Sequence, residues 1–160
     1  MIIKIMSQND CRVYDRDCAI EGKKIAIISI NNTWDQIPEF KNRALYLTFD
    51  DVELSDNYNT AMSMQDANKI IEFVNAVKDS VDELIVHCMA GISRSSGTAA
   101  ALMLLYNNDD TPVFNNGKYS PNMRCYRFVL NAGGLKPSFS EINTKLETNT
   151  ELFRKEQDLD

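Results

Sequence analysis

A short apolar run, Leu84-Ile85-Val86, is followed by a tight polar segment containing Gly91 and then by Gly97 to Tyr106, a stretch rich in Ala and Leu. No other part of the chain restricts the architecture as much. A brief, continuous apolar run suits a strand buried on both faces, and such strands belong to parallel sheets covered by helices. The small residues that follow suit a helix packed closely under that sheet. The order is therefore strand, loop, helix, with the loop at the helix N-terminus.

Three further apolar, β-branched runs, Ile2 to Met6, Lys24 to Ile30 and Ala44 to Phe49, read as strands separated by polar, turn-like stretches and preceding the helices. Ser63-Met64-Gln65-Asp66 has capping-box character, and Ala67, Ile70, Ile71, Val74 and Val77 recur after it at helical spacing. Ser120-Pro121 reads as an N-cap and first helical position, with Gly133-Gly134 stopping that helix after Tyr126, Val129 and Leu130. A last helix is expected to open at Ser138, partnered by Glu141, and to turn Ile142 and Leu146 to the core. The charged stretch from Glu151 to Asp160 is expected to fray. Together these features predict an α/β fold, a single domain over residues 1–160 with a central, mostly parallel sheet flanked by helices.

The 160 residues suffice for one core, since folding at that length buries roughly 70% of the unfolded chain's surface. A net charge of −6 argues against a broad nucleic-acid or anionic-membrane surface, so any anion site must be local. The apolar start is too short for a signal peptide, and Ala99 to Leu105 is too short to span a bilayer, which predicts a cytoplasmic protein. Four cysteines lie scattered without a metal-type spacing, and His87 is the only histidine, which removes most Cys/His zinc sets and any triad needing an imidazole elsewhere. No metal or cofactor is expected.

The loop itself reads His87-Cys88-Met89-Ala90-Gly91-Ile92-Ser93-Arg94-Ser95. Backbone amides at a helix N-terminus carry partial positive charge, so a short loop curling over them forms an anion cradle. A thiol in its centre sits in the field that favours thiolate, the reactive form. Arg94 follows Cys88 at a spacing that returns its planar fork over the bound anion, for two parallel contacts that a lysine cannot copy. Gly91 permits the tight path, and the Ser95 hydroxyl lies in the first helical turn near the sulfur.

His-Cys, five residues, then Arg-Ser resembles the signature of the protein tyrosine and dual-specificity phosphatase superfamily, and the order of elements from about Ile25 to Leu130 is similar to that of its small dual-specificity-like members. The resemblance implies that Cys88 attacks phosphorus to give a phosphocysteine, that Arg94 and the loop Met89, Ala90, Gly91, Ile92 and Ser93 hold the phosphate, and that Ser95 eases departure of the sulfur. Thr48-Phe49-Asp50-Asp51 is similar to the family's acid loop, although the Trp-Pro-Asp form of the larger tyrosine phosphatases is absent. Asp50, Asp51 and Asp56 compete for the role of general acid, and Asp51 best matches the family's position after the aromatic residue. Pro121-Asn122 resembles the family's Pro-Asn, whose asparagine supports the phosphate loop, although Asn122 is equally placed to aid a helix cap. His87 is expected to tune the loop from a partly buried position rather than carry protons. Cys11, Cys18 and Cys125 are read as structural, and Lys41-Asn42-Arg43 as a coincidental likeness to a phosphotyrosine-recognition stretch.

The function so implied is hydrolysis of phosphotyrosine, and by extension phosphoserine or phosphothreonine, on a protein or peptide substrate. The competing readings are a rhodanese-like or arsenate-reducing thiol enzyme, and a phosphoprotein-binding pseudophosphatase. Arg94-Ser95 and the downstream Pro-Asn weigh against the first, and the intact Cys88 and Arg94 against the second.

Overall fold

A four-stranded, wholly parallel sheet with the order β1-β4-β2-β3 forms the centre of the computed structural model, which describes residues 1–158. The strands are β1 (Ile2–Ser7), β2 (Ile25–Asn31), β3 (Arg43–Thr48) and β4 (Glu83–Cys88). Around them lie α1 (Gln8–Glu21), α2 (Met64–Val77), α3 (Arg94–Asn107), α4 (Thr111–Phe114), α5 (Met123–Ala132) and α6 (Phe139–Asp158). β2 and β4 are buried throughout, as their unbroken apolar runs require.

Strand periodicity divides the core in two. Ala26, Ile28, Ile30, Leu84, Val86 and Cys88 pack on one face with residues of α2, α3 and α5, while Ile25, Ile27 and Ile85 face Cys11 and Cys18 of α1. Consecutive residues point to opposite faces, so His87 is directed away from the side that receives Cys88.

α1 corrects the expectation of a turn-like stretch between the first two strands, and of strands that precede the helices. Only Cys11, Asp15 and Cys18 of its 14 residues are buried, so the apolar stripe is too thin to reveal the helical period. Its ends were marked locally: Ser7 accepts a hydrogen bond from the Asp10 amide, and Gly22 closes the helix in the left-handed conformation. A crossover helix is also what two parallel strands need.

The capping box of α2 is present, with Ser63 and Asp66 satisfying each other's amides. Ser138 and Glu141 do the same before α6, at 2.8 and 3.2 Å. One expectation about this last helix fails: Ile142 packs on the core, but Leu146 is 37% exposed. The stretch expected to fray is helical from Glu151 to Asp158, and residues 159–160 of it lie outside the described residues. The buried Asn149 side chain donates to the Tyr119 carbonyl at 2.9 Å, and Lys145 pairs with Asp110, anchoring the helix below its charged end. Lys155 and Glu151 then pair one turn apart at 2.7 Å. Among the described residues no helix is long and apolar enough to cross a membrane.

Candidate active site

The carboxyl ends of β2, β3 and β4 open on the same edge of the sheet, where crevices form in parallel α/β folds. β4 delivers Cys88 there and α3 begins six residues later at Arg94. The intervening loop turns through Gly91 at φ +71°, and a Cβ at that position would sit 2.7 Å from the backbone of Met6 and Ser7. Glycine is required for both reasons. The Gln8 amide also donates to the Met89 carbonyl at 3.2 Å, so the junction of β1 and α1 backs the loop from behind. Met89 and Ile92 point outward, 46% and 38% exposed.

α5 braces the opposite side. The Ser120 amide donates to the Ile92 carbonyl at 3.1 Å and the Asn122 amide to the Ser93 carbonyl at 3.0 Å. These bonds tie the backbone of residues 120–122 to the loop, with Asn122 extended, which explains why Ser120 and Pro121 do not start the helix as their types suggested. Asn122 is the N-cap instead, its Oδ1 accepting from the Cys125 amide at 3.1 Å. Gly97 of α3 lies so close to the Asn122 carbonyl that a Cβ would overlap it.

Within this frame the Cys88 Sγ lies 3.1 Å from the Ser95 Oγ, and both are buried. Arg94 is also buried. Its Nη1 donates to the Phe49 carbonyl at 2.9 Å, its Nε has no partner, and among the described residues no carboxylate lies within ion-pair distance. A buried cation without an anion is costly.

The three aspartates separate by environment. Asp50 is buried and accepts from the Thr33 amide and hydroxyl and from the Thr60 amide. Burial alone would raise its carboxyl, but those donors and the Arg94 charge outweigh it and hold the group below the ordinary range. Asp50 therefore ties the loop after β2 to the loop after β3. Asp56 is exposed and accepts from the Tyr58 and Asn59 amides, both at 2.7 Å, a local turn whose donors hold its carboxyl low. Asp51 alone of the three hydrogen-bonds the loop between β4 and α3: its Oδ1 accepts from the Ser93 hydroxyl at 2.8 Å and from the Asn122 side-chain amide at 3.0 Å.

His87 is fully rather than partly buried, on the α1 face, with Phe40 edge-on at 5.3 Å between ring centres. Its Nδ1 lies 3.2 Å from the Cys88 carbonyl, which can only accept, so Nδ1 carries the proton and Nε2 accepts from the Ser29 hydroxyl at 2.7 Å. The Ser29 hydroxyl in turn accepts from the Asn31 side-chain amide at 3.0 Å. Burial chiefly, with the charges of Arg94 and Arg12, lowers the His87 pKa to about 4. The ring is neutral and fixes the Cys88 carbonyl.

Two contributors had no sequence signal of their own. Arg124 donates to the carbonyls of Met62 at 2.8 Å and Glu53 at 3.0 Å, pinning the loop that carries Asp51 at two points. Thr33 anchors Asp50 from a loop with no recognisable motif. Cys11 and Cys125 are buried, and burial pushes the first thiol up to about 12 and the second further, so neither competes as a nucleophile. Lys41 and Asn42 serve a structural purpose: their amides donate to the Asp15 carboxylate of α1 at 2.7 and 2.9 Å.

A family profile described as protein-tyrosine phosphatase matches residues 56–130. Dual specificity protein phosphatase 8 of Homo sapiens is 27% identical over 150 residues, covering 91% of this chain, which spans about a fifth of that relative's length (21%). Among solved structures, DUSP15 shares 16% identity with a TM-score of 0.54, covering 93% of this chain and 90% of its own. PTPMT1 in complex with PI(5)P shares 15% with a TM-score of 0.54, covering 90% and 94%. At these identities the structures support the fold.

Proposed function

We propose that the chain is a small dual-specificity-like member of the protein tyrosine phosphatase superfamily, whose profile it matches over residues 56–130, and that it hydrolyses phosphate monoesters on protein or peptide side chains, phosphotyrosine foremost, through a phosphocysteine at Cys88. The supporting observation is the uncompensated Arg94. Its Nε is buried without a partner beside a buried thiol at a helix N-terminus, an arrangement that a phosphate dianion would complete.

In the first step the Cys88 sulfur forms a bond to phosphorus as the phosphorus–oxygen bond breaks, and Asp51 gives its proton to the departing phenolic oxygen. In the second, water attacks phosphorus, Asp51 takes the water proton, and the sulfur leaves as thiolate, eased by the Ser95 hydroxyl at 3.1 Å. Arg94 and the loop of Met89, Ala90, Gly91, Ile92 and Ser93 hold the non-bridging oxygens in both steps. Asn122 supports the loop, and His87 supports it from behind without exchanging protons. No residue of the scheme calls for a metal or cofactor.

The residues at the variable loop positions, Met89, Ala90, Ile92 and Ser93, are uncharged. PTPMT1 has been captured with a phosphoinositide; the absence of cations at these four positions favours instead a singly phosphorylated, apolar ring. A net charge of −6 fits a cytoplasmic protein acting on phosphorylated protein rather than nucleic acid or membrane.

The test is turnover of a phosphopeptide panel by wild type and Cys88→Ser. Phosphotyrosine peptides are expected to be cleaved faster than phosphoserine or phosphothreonine peptides, with vanadate inhibiting and EDTA without effect. Cys88→Ser should bind phosphate but not turn over. Activity near wild type in that variant, or a metal requirement restored after EDTA, would refute the proposal.

A further inference from the structure

Ser93 occupies the N-cap position of α3, where serine ordinarily bonds an amide of the first helical turn, yet its side chain makes no capping bond. The hydroxyl is directed across the crevice to Asp51 Oδ1 at 2.8 Å, and the same oxygen receives the Asn122 side-chain amide at 3.0 Å. The backbone closes the triangle, because the Asn122 amide donates to the Ser93 carbonyl at 3.0 Å. No donor among the described residues reaches Asp51 Oδ2.

We infer that Ser93 is a positioning residue for the general acid: its hydroxyl, together with Asn122, fixes Asp51 by one oxygen, so that the other carries the proton facing the leaving group. The inference rests on Asp51 being the acid. It assigns Ser93 a task separate from the phosphate contacts of the loop backbone, and it couples the loop bearing the nucleophile to the loop bearing the acid through one hydroxyl. A carboxylate oxygen with two donors is poorly placed to accept a proton, whereas its undonated neighbour is free to do so. The bond spans two loops on different strands, so it also sets the distance between acid and sulfur.

The test compares p-nitrophenyl phosphate, whose leaving group needs little protonation, with an alkyl-substituted phenyl phosphate, which depends on it. Ser93→Ala is expected to slow the alkylphenyl substrate about tenfold and p-nitrophenyl phosphate by about twofold at most, since one of two anchors of a group supplying about 10²–10⁴-fold is lost. Its melting temperature should fall by no more than a few degrees, because one exposed hydrogen bond and no helix cap is lost. Ser93→Thr, which keeps the hydroxyl, should retain the wild-type ratio between substrates. In an Asp51→Ala background, Ser93→Ala should have no further effect on either substrate. Equal slowing of both substrates, a further loss in the Asp51→Ala background, or a Ser93→Thr ratio like that of Ser93→Ala would overturn the role of Ser93. If Asp51→Ala itself shows no leaving-group selectivity, the assignment of the acid fails instead.

Discussion

The two ends of β4 hold buried charge in opposite ways. At its start the Glu83 carboxylate is surrounded by donors: the Tyr14 hydroxyl at 2.6 Å, Lys4 at 3.0 Å and Lys23. Burial would raise that carboxyl, yet Lys23, Tyr14 and Lys4 together hold it low, and the two lysines are raised in return. At the strand's far end, Arg94 is buried with one carbonyl partner, an unpartnered Nε and no counter-ion among the described residues. One end is neutralised by direct ion pairs within the chain, while at the other the carboxylate that feels the Arg94 charge, Asp50, stays beyond ion-pair distance. Stability and recognition therefore separate along a single strand, and substitutions at its two ends should separate them experimentally.

The largest effect is expected at the uncompensated end. Arg94→Lys keeps the charge but loses the fork, and should lower kcat by about 10²–10³-fold. Its unfolding free energy should fall by no more than about 1–3 kcal/mol, because the guanidinium has one buried hydrogen bond, to the Phe49 carbonyl, and no ion pair to lose. A large loss of stability with modest loss of rate would show that Arg94 is structural and erase the contrast.

Next comes His87, which lies beside Cys88 in the strand but on the other face. Its folded pKa, about 4, lies below the ordinary 6.5, so the unfolded state binds the proton more readily. The resulting stability is fully present above pH 6.5 and is lost as pH falls toward 4, amounting to roughly 3 kcal/mol in the limit. Denaturant melts between pH 7 and 5 should show this decline, and His87→Gln should flatten it. An unchanged slope in the variant would mean that other groups set the acid limb.

The smallest effect belongs to the neutralised end. Glu83→Gln should cost about 1–2 kcal/mol, less than a fully buried pair would, because Lys4 and Lys23 are 40% and 35% exposed and water can replace the carboxylate. Turnover per folded molecule should not change. Parallel urea melts and kcat measurements decide whether this end is purely structural.

What the sequence disclosed follows the same division between local and remote. The strand, loop and helix around Cys88 were legible because each is specified by neighbours in the chain, as were the boxes at Ser63 and Ser138. α1 was not, since three buried positions in 14 leave no stripe to read. The start of α5 was misplaced because Ser120 and Pro121 form an ordinary cap pattern, while the bonds that override it run to Ile92 and Ser93. From Glu151 to Asp158 the charge of the stretch hides a helix, in which an i,i+4 pair accommodates it. Asp51 was singled out only by likeness to an acid loop; its meeting with Ser93 and Asn122 depends on strand order, which no local pattern contains. The same holds for the Asn31, Ser29 and His87 series, formed where Ser29 pairs with His87 between β2 and β4.

The central claim, that Arg94 holds a phosphoryl group that is passed to Cys88, is tested most directly by trapping it. Wild-type protein mixed rapidly with p-nitrophenyl phosphate and quenched in acid should carry one phosphate on the peptide containing Cys88, with a matching burst of p-nitrophenol. Phosphate on any other residue, or steady turnover with no burst and an unmodified Cys88 peptide, would contradict the account.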